Sequence, residues 1–293
     1  MNGVVTQASV FCGGIPALRA GHEAAEELQE FRQTIPIPVG ATDFRPETIS
    51  GVRCLVSTAL HPRCRIIHMH GGGYVCGSPT HYGEFATRLA RVIGAEVWVP
   101  DYSLAPENPF PAAIHEMMSV VNALVSDPTC LPVFLSGDSA GGGLALTLAS
   151  IMRRPVPIAG ILLLSPWLDL TISSDGFSRC ATSDPMFSKE AAENAARCYL
   201  QGEDPAHPLA SPLFADLSGL PAVTILVASQ EVLAEDSLAL VARLLAEGVH
   251  FQLVAAPEVS HIWPVLEPHL LPSVHAIQIL DHAVSMALDR HER

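Results

Sequence analysis

Long apolar runs and secretion signals are missing from this sequence of 293 residues. The densest apolar stretches, such as Ile161–Leu164 and Val223–Val227, are far shorter than the roughly 20 residues that span a bilayer. The N-terminal residues lack the cationic start and apolar continuation of a secretory signal. We therefore expect a soluble, cytoplasmic protein that has no membrane partner.

Basic side chains are scarce. The chain has 16 Lys and Arg against 30 Asp and Glu, which gives a formal net charge of −14. Such a charge repels phosphate backbones and anionic lipids, so neither a nucleic acid nor a membrane surface is expected as a partner. Hydrophobic residues make up 49% of the chain and charged residues 16%, which predicts one large folded domain with a sizeable core.

Cysteine pairs and metal-ligand spacings are also missing. The seven cysteines are odd in number and scattered, and no two of them form a CxxC pair, which favours reduced thiols. His68 and His70 form an HxH pair at the end of a predicted strand, but the spacing suggests no third ligand. The sequence therefore predicts no metal site.

From Thr48 onward, short apolar runs alternate with helix-like stretches. The runs are Val52–Val56, Arg65–Met69, Glu96–Pro100, Val133–Ser136, Gly160–Leu164, Ala222–Val227 and Phe251–Ala255. The stretches between and after them are His81–Ile93, Ala112–Ser126, Ala140–Met152, Leu233–Ala246 and Pro272–Leu288. This alternation predicts a mostly parallel sheet with helices on both faces. The first two runs have no helix between them, so we expect an antiparallel hairpin at the start of the sheet.

Two segments depart from this alternation of strand-like runs and helix-like stretches. Ala17–Thr34 has apolar residues at helical spacing, which predicts an amphipathic helix that ends before Pro36–Pro38. Asp169–Leu220 contains a short helical piece, Lys189–Gln201, and no strand, and an insertion of that length is usually functional. We expect an N-terminal cap segment over residues 1–45. Residues 46–293 would form the main domain, with a cap insertion at about 170–220.

The segment Gly137-Asp138-Ser139-Ala140-Gly141 is a G-x-S-x-G motif between a predicted strand and a predicted helix. A serine on such a sharp turn projects its hydroxyl above the edge of the sheet, and the helix N-terminus lends a positive dipole. Glycines two residues to either side prevent clashes across the turn. The pattern predicts that Ser139 is a nucleophile.

A second motif, His70-Gly71-Gly72-Gly73-Tyr74, follows the predicted strand Arg65–Met69. Successive glycines leave backbone N–H groups free to point at an oxyanion that develops on a substrate carbonyl. We predict Gly71 and Gly72 as donors, together with the N–H of Ala140.

Further segments strengthen one resemblance. Asp101–Glu107 resembles the D-Y-R-L-A-P-E segment of the hormone-sensitive-lipase-like esterases, and Leu164–Leu170 resembles their L-S-P-W-x-D-L segment. Ser211–Pro221 resembles their S-P-L-x-x-x-x-x-G-L-P segment, and the likeness runs roughly from Arg65 to Trp263. The chain departs from the pattern at Ser103, where the family usually has arginine.

The resemblance implies an α/β-hydrolase fold, a mostly parallel central sheet flanked by helices with a helical cap. It implies carboxyl-ester hydrolysis without a cofactor. It also implies that His70 orients the glycine loop without transferring protons. Relatives often pair through the sheet edge near the last strand, so a homodimer is a further expectation.

A serine needs a base to take its proton and an acid to orient that base. The acid should follow the strand Ala222–Val227, where Glu231, Glu235 and Asp236 lie. The family pattern favours Glu231 over its nearest competitor, Asp236. The base should lie in the loop after Phe251–Ala255, which favours His261. The competing histidines are His250, His269 and His275.

The substrate is predicted to be a small ester or lactone with a short-to-medium acyl chain. Residues near the motifs or in the cap are candidates for its pocket: Tyr74, Trp167, Met186, Phe187 and Trp263. For Trp167, ordinary core packing is an equal alternative. Two other functions use the same features, namely an arylformamidase or amidase and a catalytically silent binder. The presence of His261 counts against the binder.

Overall fold

The computed structural model describes residues 22–35, 43–129, 131–152 and 157–291. Within these ranges the chain forms one eight-stranded sheet in the order β1-β2-β4-β3-β5-β6-β7-β8. The strands are Arg45–Ile49 (β1), Val52–Thr58 (β2), Cys64–Met69 (β3), Ala95–Pro100 (β4), Val133–Asp138 (β5), Ile158–Leu164 (β6), Val223–Ala228 (β7) and Phe251–Ala256 (β8). β2 is antiparallel to β1 and β4, and the remaining neighbours are parallel.

Helices cover both faces of the sheet. They are His22–Thr34 (α1), Gly83–Leu89 (α2), Ala112–Val125 (α3), Ser139–Met152 (α4), Gly176–Arg179 (α5), Lys189–Leu200 (α6), Ala234–Ala246 (α7), Trp263–Leu266 (α8) and Leu271–His291 (α9). Side chains of α3, α4 and α7 pack into one hydrophobic core, and those of α2 and α9 pack into a second core on the opposite face. β3, β5, β6 and β7 are buried along their whole length, because both of their faces are covered.

The predicted alternation of strands and helices, and the mostly parallel sheet, are confirmed. The predicted pairing of the first hairpin is wrong. Val52–Thr58 pairs with β1 and β4 rather than with β3, which lies between β4 and β5. The hairpin instead joins β1 to β2 through Ser50 and Gly51, which have φ angles of 52° and 82°. Two such residues form the tight turn that suits a two-residue hairpin.

The segments predicted to form a cap contain helices. α1 covers most of the predicted N-terminal helix, whereas residues 17–21 and Pro36–Pro38 lie outside the described residues. Between β6 and β7 the chain forms α5, α6 and a single 3₁₀ turn at Pro212–Phe214, with no strand among the residues described there. The division into a cap and a main domain stays a prediction.

In the ranges that the structure describes, none of the helices combines the length and the apolar character needed to cross a bilayer.

Candidate active site

Ser139 stands at the junction between β5 and α4, where the backbone turns sharply. Its φ angle is +50°, in the left-handed region that non-glycine residues seldom adopt and that is enriched at functional sites. A methyl group on Gly137 would lie 2.2 Å from the carbonyl oxygen of Gly141, and one on Gly141 would lie 2.1 Å from that of Met69. The spacing of the G-x-S-x-G motif is therefore a steric requirement of this turn.

Glu231 and His261 come together from the loops that follow β7 and β8. His261 Nδ1 lies 3.0 Å from Glu231 Oε2, and both side chains are buried. The same carboxylate oxygen accepts a hydrogen bond of 2.8 Å from the hydroxyl of Ser165, which in turn accepts one of 3.3 Å from the backbone N–H of Ile262. These bonds hold the carboxylate and the imidazole in one arrangement.

Electrostatics in this pair favour a charged imidazole. Burial lowers the pKa of His261, but the charge of Glu231 and its hydrogen bond, with smaller contributions from Asp184 and Asp138, outweigh burial and raise that pKa above 6.5. Burial also raises the pKa of Glu231, an effect that His261 and Ser165 oppose. An imidazole whose protonated form is stabilised in this way is suited to accept a proton.

The competing acids are engaged elsewhere. One carboxylate oxygen of Asp236 accepts hydrogen bonds from the N–H groups of Leu168 at 2.8 Å and Asp169 at 3.1 Å, and burial raises the pKa of Asp236 to about 7. Glu235 accepts a bond of 2.7 Å from the N–H of Gly176 and forms an ion pair with Arg179. Neither carboxylate is bonded to His261 in the described part of the chain.

The competing histidines lie on the surface. His250 precedes β8, His269 lies between α8 and α9, and His275 lies on α9, and all are exposed. His269 lies 3.3 Å from the carboxylate of Glu84.

One of the three predicted oxyanion donors is bonded within the protein. The N–H of Gly71 donates to the hydroxyl of Tyr82 at 2.8 Å and to Asp138 Oδ1 at 3.1 Å. Gly72 and Gly73, with φ angles of 119° and 62°, line the cavity, and Ala140 lies in the first turn of α4.

Asp138 is the centre of a buried polar network behind Ser139. Besides the Gly71 N–H, its carboxylate contacts the hydroxyl of Tyr82 at 2.9 Å and His68 Nε2 at 3.1 Å. His68 Nδ1 lies 2.9 Å from the hydroxyl of Ser136 on the neighbouring strand. The network fixes the first glycine of the loop to the residue that precedes the serine, as part of the elbow.

His70 occupies a position that does not reach substrate. Its ring is fully buried and stacks on Tyr102 with 4.2 Å between centroids, and its Nδ1 lies 2.8 Å from the carbonyl oxygen of Gly71. Burial lowers the pKa of His70 to about 4, so the ring is neutral near pH 7. The two histidines of the HxH pair thus serve separate networks. Among the described residues, no cluster of three His, Cys, Asp or Glu side chains could hold a metal ion.

A cavity of about 60 Å³ opens on the serine and the histidine. Its wall is formed by Phe31, Ile35, Gly72, Gly73, Cys76, Tyr82, Ser139, Met186, Phe187, His261 and Ile262. Met186 and Phe187, two of the predicted pocket residues, lie on this wall.

Tyr74, Trp167 and Trp263, the other three predicted pocket residues, do not line this cavity. Each is at most 2% exposed. Tyr74 stacks on Tyr199 with 4.0 Å between ring centroids, and Trp167 packs edge-on against Phe187 from behind. Such large aromatic rings contribute most when they are buried, and here they support the wall.

Asp184 is a residue that the sequence analysis missed. Its carboxylate accepts bonds from the N–H groups of Met186 at 2.9 Å and Phe187 at 3.2 Å, and from that of Val232 at 3.0 Å. It therefore ties the segment that supplies two cavity residues to the residue after Glu231. The contact joins positions 48 residues apart, so no local pattern could have indicated it.

Comparisons with known proteins agree with this geometry. A family model described as alpha/beta hydrolase fold matches residues 66–265. An acetyl-hydrolase of Streptomyces hygroscopicus is 35% identical over 219 residues, which are 73% of this chain and 73% of that protein. A crystal structure of an esterase from the bacterial hormone-sensitive lipase family is 32% identical, with a TM-score of 0.82 over 95% of each chain. A structure of EstE5 soaked with p-nitrophenyl butyrate is 30% identical, with a TM-score of 0.85 over 96% of each chain.

Proposed function

The chain belongs to the hormone-sensitive-lipase family of α/β-hydrolase esterases, and we propose that Ser139, His261 and Glu231 are the catalytic triad with which it cleaves esters. The enzyme is a carboxylic ester hydrolase. The observation that carries the proposed triad is the 3.0 Å contact between His261 and Glu231 on the wall of the cavity that contains Ser139. The strained backbone of Ser139 adds support, since that conformation has a cost that a purely structural serine would not require.

In the proposed reaction, His261 removes the hydroxyl proton of Ser139 as its oxygen attacks the substrate carbonyl. The imidazolium that forms is stabilised by Glu231, which engages Nδ1 and so leaves Nε2 to take the serine proton. The tetrahedral intermediate collapses when His261 gives its proton to the leaving alcohol. A water molecule, activated by the same imidazole, then attacks the acyl-enzyme and releases the acid and Ser139.

The oxyanion would be held by the N–H groups of Gly72, Gly73 and Ala140. Gly72 and Gly73 lie on the cavity wall, and Ala140 follows the nucleophile at the positive end of α4. Each such donor is worth about 3 kcal/mol of transition-state stabilisation. The bonds from Gly71 to Asp138 and Tyr82 would hold the loop so that the next two N–H groups face the substrate.

The proposed substrates are esters or lactones with short-to-medium acyl chains. The cavity is small, and its lining includes the apolar side chains of Phe31, Ile35, Met186, Phe187 and Ile262, which would contact the substrate chain. Short chains also agree with the acetyl-hydrolase named among the relatives.

The test of this proposal is a substrate panel for the purified enzyme. We expect turnover of p-nitrophenyl acetate and butyrate, with much slower cleavage of formanilide and of the anilides of the same two acyl groups. Ser139→Ala protein should keep no more than a small residual rate on any of them. Faster cleavage of the formamides would replace the ester assignment by an arylformamidase, and a folded protein that cleaves none of them would favour a binding function.

The pH dependence follows from the raised pKa of His261. A general base works only in its neutral form, so kcat/KM should rise with pH and level off above the pKa of the imidazole. Because Glu231 raises that pKa, the apparent pKa of the acid limb should exceed 6.5, the ordinary value for histidine. A profile of kcat/KM for p-nitrophenyl butyrate between pH 5 and 9 measures it. An acid limb centred well below 6.5 would contradict the proposed pair.

A further inference from the structure

Arg32, in the last turn of α1, attaches that helix to the loops that follow β3 and β4. Its Nε donates to the carbonyl oxygen of Val75 at 2.8 Å, and its Nη2 donates to that of Ala105 at 2.7 Å. The guanidinium also donates hydrogen bonds to both carboxylate oxygens of Glu107, at 2.7 Å and 3.0 Å. A planar guanidinium can satisfy these acceptors together, whereas a lysine could not.

The first of these acceptors belongs to the glycine loop. The N–H groups of Val75 and Cys76 donate to the carbonyl oxygen of Gly72 at 3.0 Å and 2.9 Å, which closes the turn behind the proposed oxyanion donors. Val75 is therefore a fixed part of that turn, and Arg32 bonds to its carbonyl oxygen from outside.

The helix that carries Arg32 also supplies part of the cavity wall. Phe31, the preceding residue, and Ile35, just beyond the helix end, both line the cavity. Arg32 thus lies between two wall residues in the sequence and is bonded to the loop whose Gly72, Gly73 and Cys76 also line the cavity. A shift of α1 away from the loop would widen the cavity.

The pair with Glu107 is bidentate and only partly shielded from solvent. The Arg32 side chain is 22% exposed and that of Glu107 39%. Burial raises the pKa of Glu107, but the bonds to Arg32 and to its own backbone outweigh burial, so that this pKa is lowered. An exposed pair contributes little, but a bidentate, partly buried one with two further carbonyl bonds restrains the helix more strongly.

We propose that Arg32 is a positioning residue that holds the Phe31–Ile35 wall against the glycine loop and thereby limits the length of the substrate chain. The idea rests on the proposed esterase function. It assigns chain-length specificity to a side chain that contacts neither the substrate nor the triad.

The direct test compares Arg32→Met with Arg91→Met. Methionine keeps much of the length and apolar body of Arg32 but makes none of its bonds, and Arg91 offers a control because its pair with Asp43 is about two-thirds exposed at both ends. We expect the ratio of kcat/KM for p-nitrophenyl octanoate over acetate to rise at least about tenfold in Arg32→Met, since each methylene in an apolar pocket is worth roughly tenfold or more. The ratio should stay within twofold in Arg91→Met.

Three further variants separate wall positioning from a general loss of stability. Phe31→Ala opens the same wall directly, so it should raise the same ratio, and the Phe31→Ala/Arg32→Met double variant should rise by less than the product of the single effects. Glu107→Gln, which weakens the ion pair but keeps the two carbonyl bonds, should give a smaller rise and serves if Arg32→Met fails to fold. A ratio that remains within twofold in folded Arg32→Met, or in Glu107→Gln where Arg32→Met does not fold, would overturn the role of Arg32.

Hydrogen exchange gives a readout that does not depend on turnover. Peptides that cover residues 22–35 and 71–76 should both take up deuterium faster in Arg32→Met than in the native enzyme, and neither should change in Arg91→Met. If the native protein does not cleave esters, the proposed function is wrong, but hydrogen exchange would still show whether Arg32 positions α1 against the glycine loop. Unchanged exchange in both peptides would reject it.

Discussion

Replacement of Ser139 by alanine is expected to lower kcat for p-nitrophenyl butyrate by about 10⁶-fold, the loss seen when the nucleophile of a serine hydrolase is removed. The hydroxyl is the only group in the proposed mechanism that forms a covalent bond to substrate. The N–H donors of Gly72, Gly73 and Ala140 would remain and would support only a small residual rate. The measurement is steady-state hydrolysis at pH 8, together with mass spectrometry for an acyl adduct on the native peptide.

Ser150→Ala is the matched control, because Ser150 is buried on the same helix and its hydroxyl donates to the carbonyl oxygen of Thr147 at 2.8 Å. This variant should keep kcat within about threefold, a change of less than 1 kcal/mol. Residual activity in Ser139→Ala within tenfold of the native enzyme would contradict the assignment.

Cys76 is the other nucleophilic side chain on the cavity wall among the described residues. Burial raises the pKa of its thiol to about 12, an effect that Arg32 opposes only partly, so the thiolate is scarce near pH 7. Its Sγ faces the carbonyl oxygen of Gly72 at 3.2 Å. We therefore assign Cys76 to the structure of the glycine loop and not to the reaction.

The sequence was most informative where chemistry depends on local geometry. A strand, a serine between two glycines and a helix are adjacent in the chain, so the elbow at Ser139 could be predicted without any tertiary contact. The order of serine, acid and histidine in the resembled fold indicated the loops after the strands Ala222–Val227 and Phe251–Ala255, and the family pattern favoured Glu231 among the acids of the first loop. The hydrogen bond between Glu231 and His261 depends on the tertiary structure and cannot be read from the sequence.

The features that could not be predicted correctly depend on contacts between residues that are distant in the sequence. Gly71 could not be separated from Gly72 and Gly73, because its engagement depends on Asp138, 67 residues away. β1 was missed because Arg45–Ile49 is a polar edge strand that contains Pro46, which an edge position tolerates. The wall residues Phe31 and Ile35 were missed for a related reason: an amphipathic pattern predicts that a helix face is buried, but not what it covers.

Packing against residues that are distant in the sequence also explains why three aromatic residues predicted for the pocket are buried in the core. Tyr74, Trp167 and Trp263 lie within a few residues of chemical motifs, which made them reasonable pocket candidates. Large rings beside a motif can pack behind it as well as in it, and the sequence has no signal that distinguishes the two. Knowledge of the fold thus indicated where the site lies, whereas the identity of the side chains on the cavity wall could be established only from the structure.

Replacement of Glu231 by glutamine is expected to lower kcat by about 10⁴-fold, as for other triads in which the acid loses its charge. Glutamine keeps the size of the side chain and an oxygen that can accept from Ser165 and His261. It cannot stabilise the imidazolium, and its amide can present a donor that favours the wrong tautomer of the ring. The acid limb of the pH profile should also move to lower pH, because burial, which lowers the pKa of His261, would then be opposed only by Asp184 and Asp138.

Asp236→Asn is the matched control for this prediction, since Asp236 is the acid that sequence reasoning alone could not exclude. Both of its backbone contacts go to one oxygen, at 2.8 Å and 3.1 Å, so the asparagine carbonyl can replace them. With a pKa of about 7, the native carboxyl is already partly neutral at physiological pH, and loss of its charge should change kcat by less than about tenfold, or 1.4 kcal/mol. A larger loss in Asp236→Asn than in Glu231→Gln, or an acid limb that moves in Asp236→Asn and stays in Glu231→Gln, would transfer the role of triad acid to Asp236. The opposite pattern would support Glu231, the carboxylate in contact with His261, as the group that raises the pKa of the imidazole.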